Sequence, residues 1–338
     1  MANTTTEVPP PVTAQPAALP ADALSADPAP GPSRRRPAAL AVGLWVLGIG
    51  AATVALLGPL AGSVIRYHVS GDAINQITGG DVAALVLVAP VSIIAGTLVW
   101  RSHPAGPVLA LGPAIYAVYT YTQLVLGGDV ARYPGNSERF FLLYLGLFVL
   151  GGFIAIRAWP LIDSAALPVL PRWLQRTLGI FFLVMAAFLV LGLHLPGLVD
   201  AWKTEPVLPE YLADPAPFWV VKLMDLGIIV PALVVGGIGI LRRSAWAHKV
   251  AYAAVGWTAL LGASVAGMAI VMQANDDPAA SATNTLVFAV AAVITVGMAV
   301  VAYLPLFRRH PARSPSGFTA ERDDSPAEAA AEAAPPRR

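Results

Sequence analysis

The chain has 338 residues, of which 57% are hydrophobic and only 12% charged, and its formal net charge is +1. Soluble domains carry about 25% charged residues, so this composition excludes an ordinary soluble protein and fits a polytopic membrane protein; the near-neutral balance argues against nucleic acid as a partner. There is no cysteine, which excludes disulfides, thiolate metal sites and cysteine nucleophiles.

Residues 1–37 are rich in Pro, Ala, Thr and Ser and close with Arg34, Arg35 and Arg36. Such a stretch cannot bury a core and is expected to be a disordered tail. It does not read as a signal peptide, because the basic cluster is far from the start and the next apolar run is long enough to span. Eight apolar runs follow, at 38–62, 82–100, 107–127, 140–158, 177–199, 218–241, 248–273 and 282–305. Each has roughly the 18 residues or more that cross about 30 Å of hydrocarbon. The expected fold is an all-α transmembrane bundle. Residues 306–338 form a second polar tail, rich in Arg, Pro, Glu and Ala and expected to be disordered.

Basic residues orient the spans. With the N-terminus inside, 16 of the 21 fall on the cytoplasmic side, and only Arg66, Arg132, Arg139, Lys203 and Lys222 fall outside. The positive-inside rule then puts both termini in the cytoplasm. Lys203, Lys222 and Lys249 are the only lysines. That arginine bias, with abundant Ala, Gly and Pro, points to a high-GC bacterial gene and so to the bacterial plasma membrane. The outer side holds 11 carboxylates, from Asp72 to Asp277. They could attract cations or simply keep the loops soluble.

A shift of 141 residues lays the second span on the sixth, matching Pro90 to Pro231, Gly96 to Gly237 and Arg101 to Arg242. Asp81 then falls on Lys222. This register suggests a duplication of four helices, with halves at 38–176 and 177–305. An even number of helices per half makes the repeats parallel, about an axis along the membrane normal.

Polar residues inside the spans gather toward the outer side. Lys222 and Asp225 sit in the outer third of the sixth span, Asp225 about 10 Å below the boundary at about 1.5 Å per residue. Tyr116, Tyr119, Thr120 and Gln123 share one stripe of the third span. Tyr144 lies near the outer end of the fourth span, and His194 in the outer third of the fifth. Intramembrane ionisable groups normally face the bundle interior or a wet cavity. The functional reading is an outward-open ligand pocket, with Asp225 its main charge, Lys222 its partner, the Tyr116/Tyr119/Gln123 stripe one wall and His194 nearby. The ordinary reading is that Lys222 snorkels to the headgroups, the tyrosines form an interfacial belt, and Pro231, Gly236, Gly237 and Gly239 serve helix packing.

The runs YAVYTYTQLVLG (116–127), ERFFLLYLGLF (138–148) and MDLGIIVPALVVGGIGILRRSAW (224–246) resemble a family of bacterial eight-helix membrane proteins. That family pairs a Tyr-rich helix with a DLG-x-x-VP helix ending in paired arginines, and has no established activity. The resemblance covers most of residues 66–250. It implies architecture rather than function.

No zinc-type histidine spacing, Walker loop or G-x-S-x-G occurs. The five histidines are scattered, so no facing pair for haem is expected. Lys222 is too near the surface for a retinal Schiff base. No cofactor, metal or catalytic residue is assigned. Expected partners are the lipid bilayer and a small-molecule or lipid ligand. Two functions compete: binding or transport through the pocket, and an accessory, structural or sensory role acting through a protein partner.

Overall fold

In the computed structural model, residues 37–307 are described. The two expected tails lie almost wholly outside the described residues. Among the described residues eight helices are long and apolar enough to cross a membrane: α1 Ala38–Leu57, α2 Gly71–Trp100, α3 Ala105–Leu126, α4 Ser137–Leu161, α5 Arg172–Ala201, α6 Pro215–Leu241, α7 Ala245–Ala274 and α8 Ala282–Phe307. The protein is therefore a multi-pass, all-α bundle. Eight crossings bring residues 37 and 307 to one side, the terminal face. The opposite loop face carries the connections 58–70, 127–136, 202–214 and 275–281.

The main departure from the sequence expectation is α2. It begins at Gly71 rather than 82, because Ser70 accepts from the Ala73 N–H and caps the first turn. The polar residues of this added stretch face other protein groups rather than lipid. Asn75, for example, donates to Asp277 at 2.9 Å. The helix also fits tightly there, since Gly79 lies directly against the backbone of Gly267 and Met268 in α7. At the other end of the same loop, α1 stops at Leu57 rather than 62, and the Gly58 N–H closes the last turn onto Val54.

Packing follows a paired scheme. The terminal-face half of α2 lies on α1, and that of α6 lies on α5. α4 packs on α3 and α8 on α7, while α3 and α7 meet in the middle. Three helices contain widened π turns, at Ala84–Val88, Phe188–His194 and Asp225–Ile229. Each is closed by an i→i−5 bond, from Ala89 to Ala84, Leu195 to Val190 and Val230 to Asp225. A proline follows each turn two residues on: Pro90, Pro196 and Pro231. A proline lacks the N–H and crowds the carbonyl four residues back. Those carbonyls belong to Val86, Gly192 and Gly227, inside the three widened turns.

The 141-residue register recurs in the backbone. The first and third π turns are 141 residues apart. So are Ser102 and Arg243, whose φ angles of 56° and 54° reverse the chain after α2 and α6. The hydrogen bonds of the two reversals also match. Arg101, Ser102 and His103 donate to Thr97, Val99 and Leu98, and Arg242, Arg243 and Ser244 donate to Ile238, Ile240 and Gly239.

Candidate functional site

Asp225 opens the π turn of α6 and is buried, with 7% of its surface exposed. The Tyr119 hydroxyl of α3 donates to its Oδ1 at 2.6 Å. His194, the last residue of the α5 π turn, lies with Nε2 2.9 Å from Oδ2. The Tyr119 ring stands edge-on to Trp257 of α7, with centroids 6.4 Å apart. Three helices thus converge on Asp225 and a fourth braces them.

Lys222 does not join this cluster. Its Nζ rests 3.2 Å from the centroid of the Phe218 ring. The expected Lys222–Asp225 contact is absent because helical side chains lean toward the N-terminus, which carries the ammonium back over residue i−4. Asp225 is meanwhile held by two donors from other helices. Lys222 is also buried, at 5% exposure, beside Gly197 of α5, and borders a hollow shared with Asp200 and Glu210. No carboxylate lies within ion-pair distance of it among the described residues.

The α3 stripe forms a wall as its spacing suggested. Tyr116, Tyr119, Thr120 and Gln123 all line a cavity of about 150 Å³. The Tyr116 hydroxyl and Ser264 of α7 share a 3.2 Å hydrogen bond. The cavity reaches the loop face past His68, Gly127 and Gly128. Its most unusual wall residue is Asp81 of α2, which is 7% exposed. Asp81 Oδ2 has no hydrogen-bond partner among the described residues, and neither have the hydroxyls of Tyr67, on the same wall, and Tyr144. An uncompensated buried carboxylate costs of the order of several kcal/mol. Gly58 leaves the space this carboxylate uses, since a Cβ there would come within 2.6 Å of Oδ2.

The mouth of the cavity is held by side chains of the loops. His68 Nδ1 hydrogen-bonds the Tyr133 carbonyl and Nε2 bonds Glu138, both at 2.7 Å. These contacts raise the His68 pKa above its ordinary value, the carbonyl bond most, with burial opposing. The Ser70 N–H and hydroxyl both donate to Asp214, which ties the start of α2 to the start of α6. The Tyr133 hydroxyl donates to the Ala213 carbonyl at 2.9 Å.

The candidate ligand-binding residues therefore divide. Tyr116, Tyr119 and Gln123 face the cavity, Asp225 and His194 anchor Tyr119 from behind, and Lys222 stands apart. Asp81 and Tyr67 were not assigned from the sequence. Two signals pointed to Asp81: its match to Lys222 in the repeat, and a helix-capping Ser70 ahead of it. No group of three or more His, Asp or Glu suited to a metal ion occurs among the described residues. No protein-family model, curated protein or solved structure matches the chain.

Proposed function

We propose that this chain is a bacterial plasma-membrane protein whose outward-facing pocket binds a small polar ligand: a small molecule, a cation or a lipid headgroup. Both termini are read as cytoplasmic on the split of the basic residues, 16 of 21 toward the terminal face. The loop face is then outside. The halves 38–176 and 177–305 are read as parallel copies, supported by the matched π turns and chain reversals.

The observation that carries the binding reading is Asp81. Asp81 lines a cavity walled by tyrosines, and among the described residues no cation pairs with its carboxylate and no donor reaches its Oδ2, which a ligand at this wall explains more economically than packing. Asp225 and His194 hold the Tyr119 wall in place. Lys222 is left to the outer rim near Glu210.

A second reading, sensing or an accessory role without transport, is favoured by the terminal-face half of the bundle. The cavity there, between α2, α3, α7 and α8, is lined by Leu87, Val91, Leu109, Val296 and Tyr303 among others, with no charged group among the described residues. A ligand at Asp81 has no polar path onward through those walls.

The chain lacks cysteine, so single cysteines report cleanly. Gln76→Cys, on the cavity wall, is expected to react with a membrane-impermeant thiol reagent added to intact cells. Ser244→Cys, on the terminal face, is expected to react only in inverted vesicles. The reverse pattern would refute the outward orientation.

A further inference from the structure

Resting on that pocket, we infer that its ligand is a singly charged organic ammonium, seated with its N–H groups on the Asp81 carboxylate. Asp81 is the only acidic side chain on the cavity wall among the described residues, so a ligand that keeps it ionised brings a single positive charge. An anion would meet Asp81 with no lysine or arginine on the same wall among the described residues, and both ring nitrogens of the wall's histidine, His68, are taken by Tyr133 and Glu138. A hard divalent cation takes six or more oxygen ligands, usually from several carboxylates, and the wall has one.

The rest of the lining suits carbon rather than bulk water. Tyr67, Tyr116 and Tyr121 share the wall with Ile77, Leu124 and Met268. Aromatic faces attract ammonium groups through the negative charge above the ring. The chain already does this elsewhere, where Lys222 seats its own ammonium on Phe218. A cavity of about 150 Å³ is also more than a bare ion needs. An apolar cavity of about that volume takes benzene, so a small amine with a few carbons fits. Gln76 and Thr120 on the same wall provide further polar contacts for a ligand hydroxyl or ammonium hydrogen. Ethanolammonium combines these features. It exists both as a free amine and as the headgroup of phosphatidylethanolamine, and the shared chemistry is a primary ammonium beside a short polar chain.

The test uses the full chain in nanodiscs of phosphatidylglycerol alone. Ethanolammonium chloride is titrated at fixed ionic strength against sodium chloride, with ethylene glycol as the neutral analogue, and thermal unfolding is followed. The expected result is a concentration-dependent rise in the midpoint with ethanolammonium only, following ligand-linked stabilisation. Asp81→Asn should abolish the rise. Gly58→Ala, which crowds Oδ2, should weaken binding about tenfold and serves as the independent variant. At saturation, labelling of Gln76→Cys should slow about tenfold. In a second arm, phosphatidylethanolamine is added to the discs without free amine. Protection in that arm alone assigns the ammonium to the lipid headgroup, and protection in the first assigns it to a free amine; both uphold the inference. An equal response to sodium or ethylene glycol, or an unchanged response in Asp81→Asn, would overturn it. Cysteine labelling that proceeds from outside but ignores the amine would overturn the ligand class and leave the outward pocket standing. No labelling from outside would remove the pocket itself.

Discussion

The Tyr119 hydroxyl and the His194 imidazole occupy both oxygens of Asp225, so this carboxylate is spent on holding three helices together. Tyr119→Phe removes one donor and leaves a buried carboxylate short of a partner. Hydrogen bonds to charged groups contribute about 1.5–3 kcal/mol, and a loss of that size is expected in reversible unfolding in micelles. Lys222 rests on Phe218 instead of pairing with Asp225. Asp225→Asn and Lys222→Met stand one turn apart without direct contact, so in a double-mutant cycle they should depart from the sum of their single effects by no more than about 0.5–1 kcal/mol, the low end for neighbouring residues. A double mutant clearly more stable than that sum would restore the Lys222–Asp225 pair. His68 gives a pH dependence of definite sign. Its pKa is raised in the folded protein by the Tyr133 carbonyl and by Glu138. The stability it adds is fully present below its unfolded pKa of about 6.5 and is lost as pH rises through the folded value. Melting midpoints across that range should fall with pH in the native chain and flatten in His68→Gln. A slope unchanged by His68→Gln would assign it to another group.

The contact between α2 and α7 depends on backbone meeting backbone at Gly79 and Gly267. A side chain at either glycine has no flexible neighbour to displace. Overpacking costs about 1–3 kcal/mol even where side chains can give, so Gly79→Val is expected to cost at least that and to widen the Asp81 cavity wall. Normal melting of Gly79→Val would show that the helices do not approach this closely. The eight helices were legible as apolar runs because a lipid-facing helix must be apolar along its length. The start of α2 was not. Residues 71–81 are polar, and their burial depends on groups remote in sequence, such as Asp277 near the end of α7. The π turns were only half legible: Pro90, Pro196 and Pro231 are visible, but widening rather than kinking is a choice made by packing. The stripe on α3 was legible in full, since helical spacing alone puts Tyr116, Tyr119 and Gln123 on one face.

Among the described residues the buried carboxylates, Asp81, Asp200, Asp214, Asp225 and Asp277, all lie toward the loop face. The segments that match in the 141-residue register, the π turns and chain reversals of α2 and α6, differ in the charges they carry. In the shared register Asp81 stands where the other half has Lys222, and Ala84 where it has Asp225. The first half therefore keeps a free carboxylate beneath the loops. The second uses its carboxylate for structure and seats its lysine on a ring. That asymmetry was not readable from spacing, because partners decide whether a buried charge is spent or available. The proposed ligand site is accordingly placed at Asp81 in the first half. The most direct measurement is a map of the full chain, purified from cell membranes, with side chains resolved around Asp81. Non-protein density is expected within hydrogen-bond distance of the Asp81 carboxylate, bounded by Tyr67, Tyr116 and Gln76. A protein donor closing onto both Asp81 oxygens, with the cavity filled by side chains, would contradict it.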